Sequence, residues 1–124
     1  RGASGIDGNI STAIGIAAAR GRVVALLGDL TCQHDLGGLA LAQGRDVIIV
    51  AVNNGGGGIF DLLPQAALPE FEQGWRTPQQ IRFEHAARTF GLAYAHADSN
   101  DSFQEVLHQA LLAGGPHLIE LVVS

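Results

Sequence analysis

Methionine is absent from the 124 residues, and cysteine, tyrosine and tryptophan occur once each. The lone Cys32 has no partner for an internal disulfide and fits a reducing cytoplasm, the compartment this sequence is expected to occupy. Charged residues make up only 15% of the chain, with a formal net charge of -5 and no basic cluster. That balance excludes the electrostatic footprint of a nucleic acid-binding surface. No apolar run reaches the roughly 20 residues a membrane-spanning helix requires, and no signal-peptide pattern opens the sequence. The opening at Arg1, inside what reads as a motif, together with the missing methionine, predicts a piece of a longer polypeptide.

What the chain does contain is small and apolar: 47% hydrophobic residues and 17 glycines, with few aromatics. Such a mixture suits a buried parallel sheet, whose strands are apolar on both faces. Residues 1–124 are long enough for one domain and one core, not two. The apolar surplus is expected to meet further domains or another subunit.

Read in order, RGASGIDG (Arg1 to Gly8) is a small-residue entry loop, and Asn9 to Arg20 is a helix ended by Gly21. Arg22 to Leu27 is a first strand running into Gly28-Asp29. Thr31 to Gln43 reads as one helix, weakened by Gly37 and Gly38, with Asp35 as a cap for its main part. Asp46 to Val52 is a buried second strand, so strand, helix and strand make a right-handed parallel βαβ unit. Pro64 to Pro78 lacks periodicity and predicts a long irregular loop of the kind that binds or covers ligands. Thr77-Pro78-Gln79-Gln80 has the cap, proline and N3 glutamine of a helix start, continuing to Gly91. Leu92 to His96 is a third strand. Ser102 and Glu105 form a capping box for a helix to about Ala113, closed by Gly114-Gly115-Pro116, and His117 to Val123 is the last strand. The alternation predicts a doubly wound α/β fold, a mostly parallel sheet with helices on both faces.

Chemistry concentrates at two strand ends, Gly28-Asp29 and Asn53-Asn54, the latter followed by four consecutive glycines and Ile59-Phe60. Adjacent parallel strands bring both ends to one crevice at the carboxyl edge of the sheet. Asp29 offers an anionic oxygen, Asn54 an amide oxygen, and the glycine loop bare carbonyls and N–H groups. These are the hard oxygen donors that magnesium selects. One carboxylate and two neutral oxygens leave Mg²⁺ underneutralised and short of six ligands, and phosphate oxygens would complete both. The donor set predicts a metal-bridged diphosphate.

With Asn54 lying 25 positions beyond Asp29, Gly28-Asp29-Leu30 and Asn53-Asn54 resemble the metal and diphosphate signature of thiamine diphosphate enzymes. The usual pattern has glycine where Leu30 stands, and Gly55 replaces a frequent third asparagine. The strings RGASGIDG, GDLTCQHDL and VNNGGGGIFDLLPQA resemble one branch more closely, the MenD family of 2-succinyl-5-enolpyruvyl-6-hydroxy-3-cyclohexene-1-carboxylate synthases, over nearly the whole chain. The resemblance implies a cofactor domain of an enzyme joining a decarboxylated 2-oxoglutarate unit to isochorismate in menaquinone biosynthesis. It implies thiamine diphosphate and Mg²⁺ or Mn²⁺, with Asp29, Asn54 and the Gly56 carbonyl on the metal. Gly28, Leu30 and Gly57 would adjoin the cofactor, Ile6 would wedge under it, and Ile59 and Phe60 would wall its reacting end. Phe60 and Leu63 would also face substrate, and Arg1 a substrate carboxylate. The activating glutamate of the family belongs to another domain, reaching in from a neighbouring subunit of a homodimer or homotetramer, and nothing here matches it.

Plainer readings stand beside these. Asp29 taken alone is a helix cap, the glycines a simple turn, Ile6 a core residue and Arg1 a mere terminus. Asn53 is expected to serve the loop backbone rather than the ion. Cys32 and His34 lack the further ligands of a metal site, and His85, His96, His108 and His117 are scattered. The alternatives are another thiamine diphosphate enzyme, of acetolactate synthase or 2-oxoacid decarboxylase type, or a non-catalytic phosphate- or nucleotide-binding module. The last lacks both a P-loop lysine and a G-x-G-x-x-G turn.

Overall fold

The computed structural model describes residues 5–123. Its frame is a sheet of parallel strands: β1 (Val23–Gly28), β2 (Val47–Asn53), β3 (Ala93–Ala97) and β4 (His117–Val122), in the spatial order β1-β2-β4-β3. Helix α1 (Asn9–Arg20) precedes the first strand, and α2 (Asp29–His34), α3 (Phe83–Phe90) and α4 (Asn100–Ala113) lie in the crossovers. The βαβ expectation holds, since β1 pairs in parallel with β2 from Val23 opposite Val47 to Gly28 opposite Val52.

Alternation along the strands sorts side chains onto two faces. Val47, Ile49, Ala51 and Leu118 pack under α1, α3 and the turn of 3₁₀ helix at Leu36–Ala42. Ile48, Val50 and Ile119 meet α4 through Phe103, Val106, Leu107 and Ala110. Helices thus cover both faces, as a doubly wound fold requires. The cover is uneven: Val24 and Leu26, level with Ile48 and Val50, stay 47% and 66% exposed.

Three local expectations fail, two of them because a tertiary contact outbids a sequence-local one. The helix from Thr31 to Gln43 is broken at Asp35 into α2 and the 3₁₀ segment. Asp35 caps neither piece with its side chain; instead its carboxylate accepts from the Ser11 backbone N–H at 2.7 Å and the Ser11 hydroxyl at 3.0 Å. Ser11 lies in the first turn of α1, whose own N-cap, Gly8, has no side chain, so Asp35 satisfies an orphan donor from across the fold. Gly38 permits that approach, because a Cβ there would lie 2.5 Å from the Ser11 hydroxyl.

The helix expected from Thr77 begins only at Phe83. Thr77 adopts left-handed backbone (φ 43), and the Gln79 amide nitrogen turns inward to Asp29 and Asn53 while its oxygen accepts from Ile81 N–H at 2.6 Å. For α4, the capping box is Ser99 with Ser102, one turn before the expected pair Ser102 and Glu105. Within the loop between Pro64 and Pro78 run a short 3₁₀ turn (Pro64–Ala67) and a wide π turn (Glu72–Arg76). Stacking of Phe71 on Trp75, with ring centroids 6.5 Å apart, and the 2.8 Å ion pair of Arg76 with Asp61 hold that loop against the Ile59-Phe60 segment.

Candidate cofactor site

Parallel pairing of β1 with β2 sets Gly28 opposite Val52, so that Asp29 and Asn53 follow at the same carboxyl edge. Asp29, opening α2, is 2% exposed, and no ion pair among the described residues includes it. Three N–H donors surround it instead. Oδ1 accepts from its neighbour Leu30 N–H at 2.7 Å, and Oδ2 from Gly56 N–H at 2.9 Å and Gln79 Nε2 at 3.0 Å. A buried carboxylate oxygen pair met only by amide donors, with no cationic side chain, is a setting that attracts a cation.

Asn53 behaves as a support for the loop. Its Oδ1 accepts from Gly55 N–H at 3.0 Å and Gln79 Nε2 at 3.2 Å, while its Nδ2 donates to Glu120 Oε1 at 2.6 Å. The exposed Asn54 keeps its amide at the crevice, with Oδ1 3.3 Å from Gly56 N–H. Gly56, at φ 145, is a position only glycine fills: a Cβ would stand 2.6 Å from the Arg76 carbonyl. Gly57 N–H donates to that same carbonyl at 2.6 Å. The glycine loop is thus pinned from behind by the segment following Trp75, so close approach here is partly to the chain itself.

Between these elements lies a cavity of about 370 Å³. Every residue expected to hold the cofactor lines it: Ile6, Gly28, Asp29, Leu30, Asn54, Gly56, Gly57, Ile59 and Phe60. Thr31, Val52 and Gly58 line it too and were not anticipated. Thr31 lies in the first turn of α2 and Val52 near the end of β2, and neither residue type carries a binding signal of its own. Leu63 lies outside the lining, 40% exposed beyond the 3₁₀ turn at Gly58–Leu62, and Arg1 falls outside the described residues. The walls are apolar and open, with Ile6 46%, Ile59 73% and Phe60 37% exposed.

Among the described residues no group of three His, Cys, Asp or Glu side chains gathers to hold a metal. The donor set stays as hard and sparse as expected, one carboxylate plus amide and backbone oxygens, which suits Mg²⁺ or Mn²⁺ with phosphate oxygens and no self-sufficient ion site. Cys32 lies fully buried beneath, its thiol pushed up to about 12 by burial and then by the Asp29 charge. It is a protonated core residue, neither nucleophile nor thiolate ligand. His34, His85, His96 and His108 are exposed and His117 half-buried, and none lines the cavity.

Residues 2–121 match the family model for the thiamine pyrophosphate enzyme, C-terminal TPP binding domain. The chain belongs to that family. It is 73% identical over 121 residues to a 2-succinyl-5-enolpyruvyl-6-hydroxy-3-cyclohexene-1-carboxylate synthase of Dechloromonas aromatica, covering 98% of this chain and 22% of that protein. A Salinibacter ruber protein of the same description is 50% identical over 98% of the chain and 21% of its own length. A thiamine diphosphate-dependent 4-hydroxybenzoylformate decarboxylase of Rhodococcus jostii superposes with a TM-score of 0.75 at 27% identity, over 90% of this chain and 22% of that one. The resemblance to the synthase branch therefore holds along the whole TPP-binding domain, and the chain spans about a fifth of the length of the curated relatives it matches.

Proposed function

We propose that this TPP-binding domain serves a synthase joining a decarboxylated 2-oxoglutarate unit to isochorismate in menaquinone biosynthesis, in a cytoplasmic homodimer or homotetramer. The observation that carries the reading is the convergence of the expected cofactor residues on one cavity around a buried carboxylate that joins no ion pair among the described residues. Sequence identity to synthases, at 73% and 50%, favours that branch over the decarboxylases, which share the fold at 27%.

The residues fit thiamine diphosphate with Mg²⁺ or Mn²⁺. Asp29, Asn54 and the Gly56 carbonyl would hold the metal, and Gly28, Leu30 and Gly57 would border the diphosphate. Ile6 would support the cofactor's bend, with Ile59 and Phe60 excluding water from its reacting end. Leu63 and Arg1 would contribute toward substrate. When bound, thiamine diphosphate supplies the ylid and electron sink, while the protein supplies position and electrostatics.

Calorimetry on the full-length protein tests this reading. Thiamine diphosphate should bind with Mg²⁺ present and lose that binding when the metal is chelated. Turnover should require isochorismate and 2-oxoglutarate, with pyruvate a poor replacement. Metal-independent binding, or a preference for ATP or NAD, overturns the cofactor assignment; efficient use of pyruvate alone overturns the branch.

A further inference from the structure

Behind the cavity a chain of polar side chains crosses the sheet from Asp29 to Tyr94. The Gln79 amide nitrogen lies 3.0 Å from Asp29 Oδ2 and 3.2 Å from Asn53 Oδ1. Its amide oxygen accepts from Ile81 N–H at 2.6 Å, which fixes which end of the amide faces the site. The Gln79 backbone N–H also donates to the Gly55 carbonyl at 3.2 Å, so one residue touches both strand ends and the glycine loop. Asn53 is held from its other side by Glu120 Oε1 at 2.6 Å, and Glu120 Oε2 accepts from the Tyr94 hydroxyl at 2.6 Å. Gln79, Asn53, Glu120 and Tyr94 are all half-buried, and of these only Glu120 is charged.

A carboxylate oxygen has two lone-pair sites. Oδ2 of Asp29 spends both, on Gly56 N–H and Gln79; Oδ1 spends one, on Leu30 N–H. We propose that Gln79, braced through Asn53 by Glu120, is a positioning residue that saturates Asp29 Oδ2 and thereby presents Oδ1 as the oxygen left to bind a divalent cation. The inference rests on the cofactor reading above. Glu120 belongs to β4 and lines a separate polar basin with Arg82, Glu84 and His96, so cation affinity depends on a strand that does not border the cofactor cavity.

Partners that orient metal ligands in this way change metal affinity about 10- to 100-fold when removed. In the full-length enzyme, Gln79→Leu should raise the half-saturating Mg²⁺ concentration about tenfold or more. The activity lost at low Mg²⁺ should return as the metal is raised, which general destabilisation would not produce. Glu120→Leu should act in the same direction. Glu120→Gln keeps an acceptor for Asn53 and can donate to the Tyr94 oxygen, so it should stay within about threefold of wild type. Manganese titration followed by electron paramagnetic resonance gives the same comparison without turnover. Equal metal requirements in wild type, Gln79→Leu and Glu120→Leu overturn the positioning role while leaving the cofactor reading intact. A wild-type enzyme that binds thiamine diphosphate without any divalent ion overturns both. If Gln79→Leu does not fold, the contrast between Glu120→Leu and Glu120→Gln decides.

Discussion

Cys32 and Tyr94 give the site's surroundings an alkaline signature that can be isolated, because the chain has no lysine and only one cysteine and one tyrosine. Burial pushes the Cys32 thiol up to about 12, with Asp29 adding to the effect. Burial and the hydrogen bond to Glu120 push the Tyr94 hydroxyl up as well. Both groups hold their protons more tightly folded than unfolded. The stability this represents is complete below the unfolded thiol's pKa, about 9, and is lost as pH rises toward the folded value. The loss can reach about 1.4 kcal/mol per pH unit while a single group is responsible. Urea unfolding at pH 8 and at pH 10 should therefore show falling stability, and Cys32→Ala should flatten most of the slope below pH 10. An equal slope in the variant would assign the effect elsewhere. At this scale Asp29, Asn54 and the glycines were legible as neighbours in one crevice, since all of them that were named line the same cavity. Gln79 was hidden, because its sequence neighbours spell a helix start while its amide serves Asp29, fifty residues away along the chain.

Among the elements, strands were the most legible, since buried β-branched runs such as Val47–Asn53 leave one reading. Helix starts were the least legible, for caps can be supplied from outside the segment. Asp35 shows this best: it ends one helical segment and satisfies the first turn of another. Asp35→Ala should cost about 1–2 kcal/mol in urea unfolding, combining a lost cap with a stranded Ser11 N–H. Ser11→Ala should cost clearly less, because the backbone donor keeps its 2.7 Å bond to Asp35. Comparable losses from the two substitutions would place the stabilisation in the Ser11 hydroxyl and remove the capping account. Gln43 works similarly at the other pole, its amide donating to the Phe90 carbonyl at 2.6 Å near the end of α3. Such long-range caps tie α1 and α3 to the segment that joins β1 to β2.

At the scale of the molecule, the cavity is chemically half-furnished. Asp29 is the sole titratable side chain in its lining, and all three of its hydrogen bonds are with amide donors. The remaining walls are glycine, amide, hydroxyl and apolar groups, so no other lining side chain among the described residues is an ordinary acid or base near neutral pH. Glu84, Glu120 and His96 line the other basin. Exposed Ile59, Phe60 and Leu62, beside the cavity mouth, and Val24 and Leu26 on the thinly covered face are the surfaces further protein would cover. A carboligation needs a group to activate the cofactor and walls that exclude water from it. On the reading proposed above, Ile59 and Phe60 supply part of those walls, and the activating group is proposed to come from protein outside these residues. The 124-residue chain, given thiamine diphosphate, Mg²⁺, isochorismate and 2-oxoglutarate, should form no product above the background without protein. Product at the full-length enzyme's rate would show that a proton relay exists within this chain, and Asp29 would be the first residue to re-examine. The same mixture supplied with full-length protein should turn over, and Gln79→Leu in that protein should respond to added metal while the isolated chain should not.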